Sequence, residues 1–215
     1  MKVKLVAITK PLVGDGTMTA SDFITFAARV SNPSNQMSLL TAPKLLAYCI
    51  RHGHWSIFEQ ASMTVEIQTS RAISSQIIRH RSFCFQEFSQ RYAPTDTAEL
   101  VELRTQDRVN RQGSGEVYPQ EWANEVVAKS VDLAFRTYRT LINEGVSRET
   151  ARMVLPLCTQ TTLYMTGNIR SWIHYLEQRC AKGTQKEHRD IAIAIRDTIF
   201  AIEFSHIHAA LEESK

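Results

Sequence analysis

Cysteine is scarce. Four occur in 215 residues, at 49, 84, 158 and 180. None forms a C-x-x-C pair, so neither a zinc ribbon nor a disulfide framework is indicated. Reduced thiols in a cytoplasmic protein are the expectation. Long apolar runs are missing as well: none approaches about eighteen residues, so no membrane span is expected. Residues 1–7 lack the apolar core and small-residue cleavage site of a secretory signal. Glycine-rich phosphate loops are absent. Gly14-x-Gly16 has Thr19 where a third glycine belongs, and Gly113-x-Gly115 has Tyr118. No Walker loop, G-x-S-x-G elbow or H-E-x-x-H helix exists. If the chain binds a nucleotide, side chains must hold the phosphates. Charge of one sign is also lacking. The formal net charge is +3, which by itself calls for no nucleic-acid partner. Two H-x-H pairs, His52/His54 and His206/His208, have no nearby Cys or carboxylate to complete a ligand set. No metal is expected.

Apolar residues make up 43% of the chain, enough for a core without staples. Val3, Leu5 and Ala7 alternate as in a strand, and so do Met63, Val65 and Ile67. Thr19-Ala-Ser-Asp22 resembles a capping box opening a helix. A second helix starts at Thr41-Ala-Pro43 and ends at Gly53. Residues 70–80 read as a helix, and Phe83 to Tyr92 as an extended stretch. Residues 94–119 are the least regular and form a candidate flexible loop. A long helix follows over 120–144, its inner stripe running from Val126 and Val127 through Val131, Phe135 and Tyr138 to Ile142. Ser147 caps a short helix, 159–166 reads as a strand, and Asn168 caps a helix reaching Cys180. One last helix spans 185–211. There is no steady β-α-β alternation. The expected class is α+β: one domain, 1–215, with a small antiparallel-type sheet covered by helices and a helix-rich C-terminal half.

One segment concentrates chemistry: Arg79-His-Arg-Ser-Phe-Cys-Phe-Gln-Glu-Phe-Ser-Gln-Arg-Tyr92. Planar guanidiniums suit bidentate anion binding, and four aromatic rings flank them. With Glu87 among the cations, the mixture points to a site for an anionic, aromatic ligand. A solvated basic turn beside a core strand explains the residues alone equally well.

The pattern R-H-R, seven residues, then Ser89 resembles the signature of the flavin-dependent thymidylate synthases. The similarity continues through Gln90-Arg91-Tyr92. Upstream, His52-Gly-His-Trp-Ser-Ile-Phe-Glu59 is similar to the family's flavin-contacting segment, with Ile57 and Gln60 in place of the usual Pro and His. Downstream, Arg148 to Pro156 and Asn168 to Arg179 resemble two further blocks in the family's order. Cys84 stands where the family generally has Ser.

The resemblance implies an α+β enzyme that makes dTMP from dUMP. FAD would be the cofactor, and methylenetetrahydrofolate and NADPH the co-substrates. It also implies a homotetramer with shared active sites. Ser56, Glu59, Arg79, His80, Arg81, Asn168, Arg170 and His174 would contact FAD. Gln76, Arg79, Glu87, Phe88, Ser89, Gln90, Arg91, Arg152 and Arg179 would contact dUMP, with Arg91 and Arg152 on its phosphate. Arg179 would stabilise charge developing on the uracil. Ser89 is the other catalytic candidate, read as a hydrogen-bond donor rather than a nucleophile. The competing class is a noncatalytic nucleotide- or RNA-binding module built on the 79–91 arginines, which the near-neutral charge disfavours.

Overall fold

The computed structural model describes residues 1–213. Its centre is a four-stranded antiparallel sheet in the order β1 (Lys2–Ile8), β2 (Ser62–Ser70), β6 (Gln160–Asn168), β3 (Cys84–Glu87). The predicted antiparallel sheet is therefore present, and its alternation sets its faces. Met63, Val65, Ile67, Leu163 and Met165 point into the core. The interleaved Thr64, Glu66, Thr162 and Tyr164 form a polar face, where Thr64 and Thr166 hydroxyls pair at 2.9 Å.

Helices cover the apolar face. α1 (Ala20–Ala28) opens with the expected capping box: the Asp22 N–H donates to the Thr19 hydroxyl at 3.1 Å, and the Thr19 N–H to the Asp22 carboxylate at 3.0 Å. α2 (Ala42–Arg51) ends at Gly53, whose φ of +69° only glycine adopts cheaply. Ser70 caps α3 (Arg71–Ile77), and Asn168 caps α6 (Ile169–Arg179). Phe58, Leu46, Trp172, Tyr175 and Phe204 join the sheet residues in one contiguous core.

Five sequence expectations need correction. The stretch from Phe83 to Tyr92 pairs only over Cys84–Glu87; the Tyr92 and Ala93 N–H groups then fold back onto the Ser89 carbonyl at 3.0 and 3.1 Å. The irregular 94–119 segment contains a hairpin, β4 (Arg104–Gln106) with β5 (Ser114–Val117), whose exposed β5 residues gave no apolar alternation to read. In α4 (Glu121–Asn143) the predicted stripe buries only Phe135 and Tyr138, while Val126 is 55% exposed. Ser147 precedes α5 (Arg148–Ala151), but its hydroxyl meets that of Thr150 at 2.9 Å instead of capping an N–H. The single last helix is in fact α7 (Lys186–Ile195), a π turn over Arg196–Phe200, α8 (Ala201–Glu203) and α9 (Ser205–Glu213), broken at Phe204. The extra residue of the π turn keeps Ile195, Ile199, Phe200 and Phe204 all buried, which a continuous 3.6-residue repeat does not do.

Gly167 is where β6 admits no side chain. A Cβ there would lie 2.5 Å from the Phe83 ring. That ring is held edge-on by Trp172, with centroids 4.9 Å apart. Gly167→Ala is expected to cost about 1–3 kcal/mol through overpacking. Gly183→Ala, with nothing within 4 Å of the added atom, is expected to stay within about 0.5 kcal/mol of the parent. Urea midpoints for the two variants check the pair.

Candidate active site

The C-terminal turn of α3, the 79–83 turn and the start of α6 meet at one end of the sheet. The Ser171 hydroxyl donates to the Ser82 carbonyl at 3.3 Å, tying the arginine turn to the head of α6. Arg79 and Arg81 are exposed there and form no ion pair among the described residues. Arg170 and His174 lie one helical turn apart on α6. Arg170 reaches Glu59 at 2.6 Å, and the His174 ring sits 4.8 Å from that of Trp55. Ser56 is exposed on the same short 3-10 turn as Glu59, Trp55–Glu59. Asn168 is committed to its cap, its side chain accepting the Ser171 N–H at 2.9 Å.

Arg179, in the last turn of α6, is half-buried. Its Nε donates to His80 Nε2 at 2.8 Å. Because a guanidinium only donates, His80 accepts at Nε2 and, when neutral, holds its proton on Nδ1. Burial, then the Arg179 charge, lowers its pKa from 6.5 to about 4. His80 is thus a neutral acceptor already occupied by Arg179. It is not a free base for Ser89.

Behind this pair runs a polar relay that sequence reasoning missed. His188, fully buried, places Nε2 3.1 Å from the Tyr175 hydroxyl and Nδ1 3.4 Å from the Gln76 amide oxygen. Gln76 Nε2 donates to the Gln185 oxygen at 2.7 Å, and Gln185 Nε2 to Glu187 at 2.9 Å. Arg104 closes the chain on Glu187 at 2.6 Å. The order of donors fixes every tautomer. Burial raises the Tyr175 pKa, so it keeps its proton and donates. His188 therefore donates from Nδ1 to Gln76, and each amide passes the direction on to the Glu187 carboxylate. The bonds from Arg104 and Gln185 outweigh burial and hold Glu187 below the usual carboxylate range. Sequence did carry one signal: His188 shares the inner stripe of α7 with Ile191 and Ile195.

The remaining predicted residues stand apart. Glu87 does not sit among the cations of its own segment. It is held by Arg71 at 2.7 Å, Thr161 at 3.0 Å and the Ser74 hydroxyl, a brace between α3, β3 and β6. Ser89 and Arg91 border a shallow cavity of about 420 Å³ with Ser147, Arg148 and Glu149. There Arg91 pairs with Glu149 at 3.0 Å, and Arg152 bonds the Glu149 carbonyl at 3.3 Å. Phe88 is exposed. Gln90 is buried, with its Nε2 lacking a partner. No hydrogen bond or ion pair among the described residues joins this group to Gln76, Arg79 and Arg179. Among the described residues no cluster of three or more His, Cys, Asp or Glu is placed to hold a metal, and no helix is long and apolar enough to cross a membrane.

Fold and site together define an α+β protein with a guanidinium-rich site for anionic ligands. The chain belongs to the family described as thymidylate synthase complementing protein, whose model matches residues 14–202. It is 50% identical over 220 residues to a probable flavin-dependent thymidylate synthase of Paramecium bursaria Chlorella virus 1, covering 99% of each chain. A flavin-dependent thymidylate synthase of Synechocystis is 46% identical over 217 residues, covering 99% of this chain and 100% of its own. The fold matches the crystal structure of the UMP/dUMP methylase PolB from Streptomyces cacaoi bound with 5-Br dUMP. That match has a TM-score of 0.84 and 27% identity, covering 99% of this chain and 94% of the other. A nucleic-acid module is not favoured. The relatives are all named as nucleotide-methylating enzymes, and Arg91 of the 79–91 cluster is already paired with Glu149.

The two buried histidines predict an acid weakness. Folded His188 and His80 titrate at about 3 and about 4, against 6.5 for a free imidazole. Burial comes first for both, followed for His188 by the charge on Arg179 and then His80. Unfolded chains bind these protons below 6.5, so stability is intact above that pH and falls as pH drops toward 4. His188→Gln removes one such proton. Its stability against pH, from urea unfolding between pH 6 and 4.5, should fall less steeply by about 1.4 kcal/mol per pH unit. Parallel lines for variant and parent would refute the assignment.

Proposed function

We propose that the chain catalyses reductive methylation of dUMP to dTMP, with methylenetetrahydrofolate as one-carbon donor. FAD, when bound, supplies the hydride and is itself re-reduced by NADPH. The observation that carries this reading is Arg179. Its Nε is fixed on His80, and its two terminal nitrogens make no hydrogen bond among the described residues. They are available donors on a guanidinium anchored at Nε, suited to the negative charge that develops at uracil N3 and its neighbouring oxygen. Holding His80 neutral keeps a second cation away from that guanidinium.

The residues present suit the flavin. Arg79 and Arg81 offer unpaired guanidiniums for its diphosphate, next to the N-terminus of α6. Ser56, Glu59, Arg170 and His174 line the adjoining surface with exposed polar groups. On the substrate side, the partnerless buried Nε2 of Gln90 is a donor in want of an acceptor. Ser89 serves as a hydrogen-bond donor; Arg91 and Arg152 take the phosphate.

The separation of Gln76, Arg79 and Arg179 from Ser89, Arg91 and Arg152 supports an active site assembled from more than one copy, in a homotetramer. Trp122, Val126 and Leu133, exposed by 58, 55 and 60%, form one apolar stripe on α4 that suits such an interface. We place the enzyme in the cytoplasm, where its four cysteines stay reduced.

A visible spectrum tests the reading. The purified protein, loaded with FAD and desalted, is expected to keep a flavin band that shifts on adding dUMP. A colourless protein overturns it. Arg179→Ala is expected to retain flavin while dTMP formation falls about 10²–10³-fold, the loss typical of one preorganised donor. Undiminished turnover would remove Arg179 from the mechanism.

A further inference from the structure

Arg104 and Gln185, the far members of the relay, also line a cavity of about 420 Å³ between the β4–β5 hairpin and the turn joining α6 to α7. Its wall carries four cations, Arg104, Lys182, Lys186 and Arg189, against one carboxylate, Asp107. Two of the four are balanced: Arg104 by Glu187 at 2.6 Å and Lys186 by Asp190 at 2.9 Å. Asp107 forms no ion pair with either of the others; its carboxylate accepts the Val109 and Asn110 N–H groups at 2.7 and 2.8 Å. Lys182 forms no ion pair among the described residues, and Arg189 Nη1 meets only the Lys182 carbonyl, at 3.2 Å. Gln185, the N-cap of α7, makes no side-chain capping bond, and the start of that helix adjoins Lys182 and Arg189 in the cavity wall.

Two cations with no ion-pair partner among the described residues, against the single Asp107 carboxylate, leave the wall net positive and suit an anion. We propose that this cavity binds the dianionic tail of a co-substrate, a phosphomonoester or a pair of carboxylates. The volume admits the anion with part of the group bearing it. The position fits a ligand that reaches the reaction centre, since Gln185 is one hydrogen bond from Gln76. The proposal rests on the activity proposed above, whose co-substrates both carry such tails: the 2′-phosphate of NADPH and the glutamate carboxylates of the folate.

The test uses the flavin-loaded enzyme and the double variant Lys182→Gln, Arg189→Gln, neither residue being part of the machinery described above. KM is measured for NADPH against NADH, for mono- against triglutamyl methylenetetrahydrofolate, and for dUMP. The expected result is a KM raised about tenfold or more for one co-substrate, with kcat within about twofold. The preference for the phosphorylated dinucleotide, or for the longer glutamate chain, should vanish with it, and whichever vanishes names the source. Both preferences intact would overturn the proposal. So would a rise in KM for dUMP alone, which would give the cavity to the nucleotide's own phosphate. Equilibrium dialysis with inorganic pyrophosphate separates this from the activity. If the parent forms no dTMP, weaker pyrophosphate binding by the double variant still supports the cavity, and equal binding overturns it.

Discussion

β6 has to pair on both edges and then launch a helix, and the site follows from that double duty. Nine consecutive residues of β6 pair with β2, and four of them also pair with β3. An unpaired buried N–H or carbonyl is costly, so a slip of β6 by one residue would disrupt both ladders and turn its apolar side chains onto the polar face. The register is therefore fixed. Asn168 ends the strand and caps α6 with the same side chain, so the axis of α6 is set relative to the sheet. Trp172 secures it, its indole N–H donating to the Met63 carbonyl at 3.2 Å. Arg170, His174 and Arg179 then project from a helix held by strand pairing, a cap and a buried anchor. Loop sites rarely have that precision.

The relay behind Arg179 follows from a counting constraint. Tyr175, His188 and Glu187 are buried, and buried polar groups must each find a partner. A histidine and two amides are ambiguous alone, because each can donate or accept at either end. The charged ends remove the ambiguity. Arg104 only donates and ionised Glu187 only accepts, so every amide and ring between Glu187 and Tyr175 is forced into one orientation. Gln76 then meets any ligand with a defined remainder, one N–H and one lone pair. Preorganisation of this kind spends folding energy in advance, and Gln76, Tyr175, Glu187 and His188 accordingly sit in α3, α6 and α7, with Gln185 at the α7 N-cap and Arg104 in β4.

Local chemistry was legible in the sequence, and long-range chemistry was not. The Thr19 box and the Asn168 cap involve residues three apart and both form, while the Ser147 cap does not. The strand at Met63 announces itself by alternation and that at 159–166 by its β-branched residues. The β4–β5 hairpin did not, because its strands are three and four residues long and largely exposed. The stripe on α4 was read correctly as a period and wrongly as burial. Periodicity says that a face is apolar, not which surface covers it. Glu87 was misplaced for a related reason: its neighbours in sequence are cations, but its partners are Arg71, Ser74 and Thr161. The site blocks were found through resemblance, while the relay spans 112 residues between Gln76 and His188 and has no local pattern.

The two groups of arginines differ in their partners, and the difference bears on assembly. Arg91 and Arg152 lean on Glu149 and its carbonyl on the surface. Both are weak, exposed contacts, worth about 0–1 kcal/mol for an ion pair, so a phosphate can replace them at little cost. Arg179 is held the opposite way, half-buried on a neutral imidazole, so no ion pair need be broken before it meets a ligand. A nucleotide held by both groups would exchange cheap contacts at its phosphate end and find rigid donors at its base. If the two groups serve one nucleotide, as proposed, association of copies would bring them together. The ligand would then contribute to holding those copies, and assembly and substrate binding would strengthen each other.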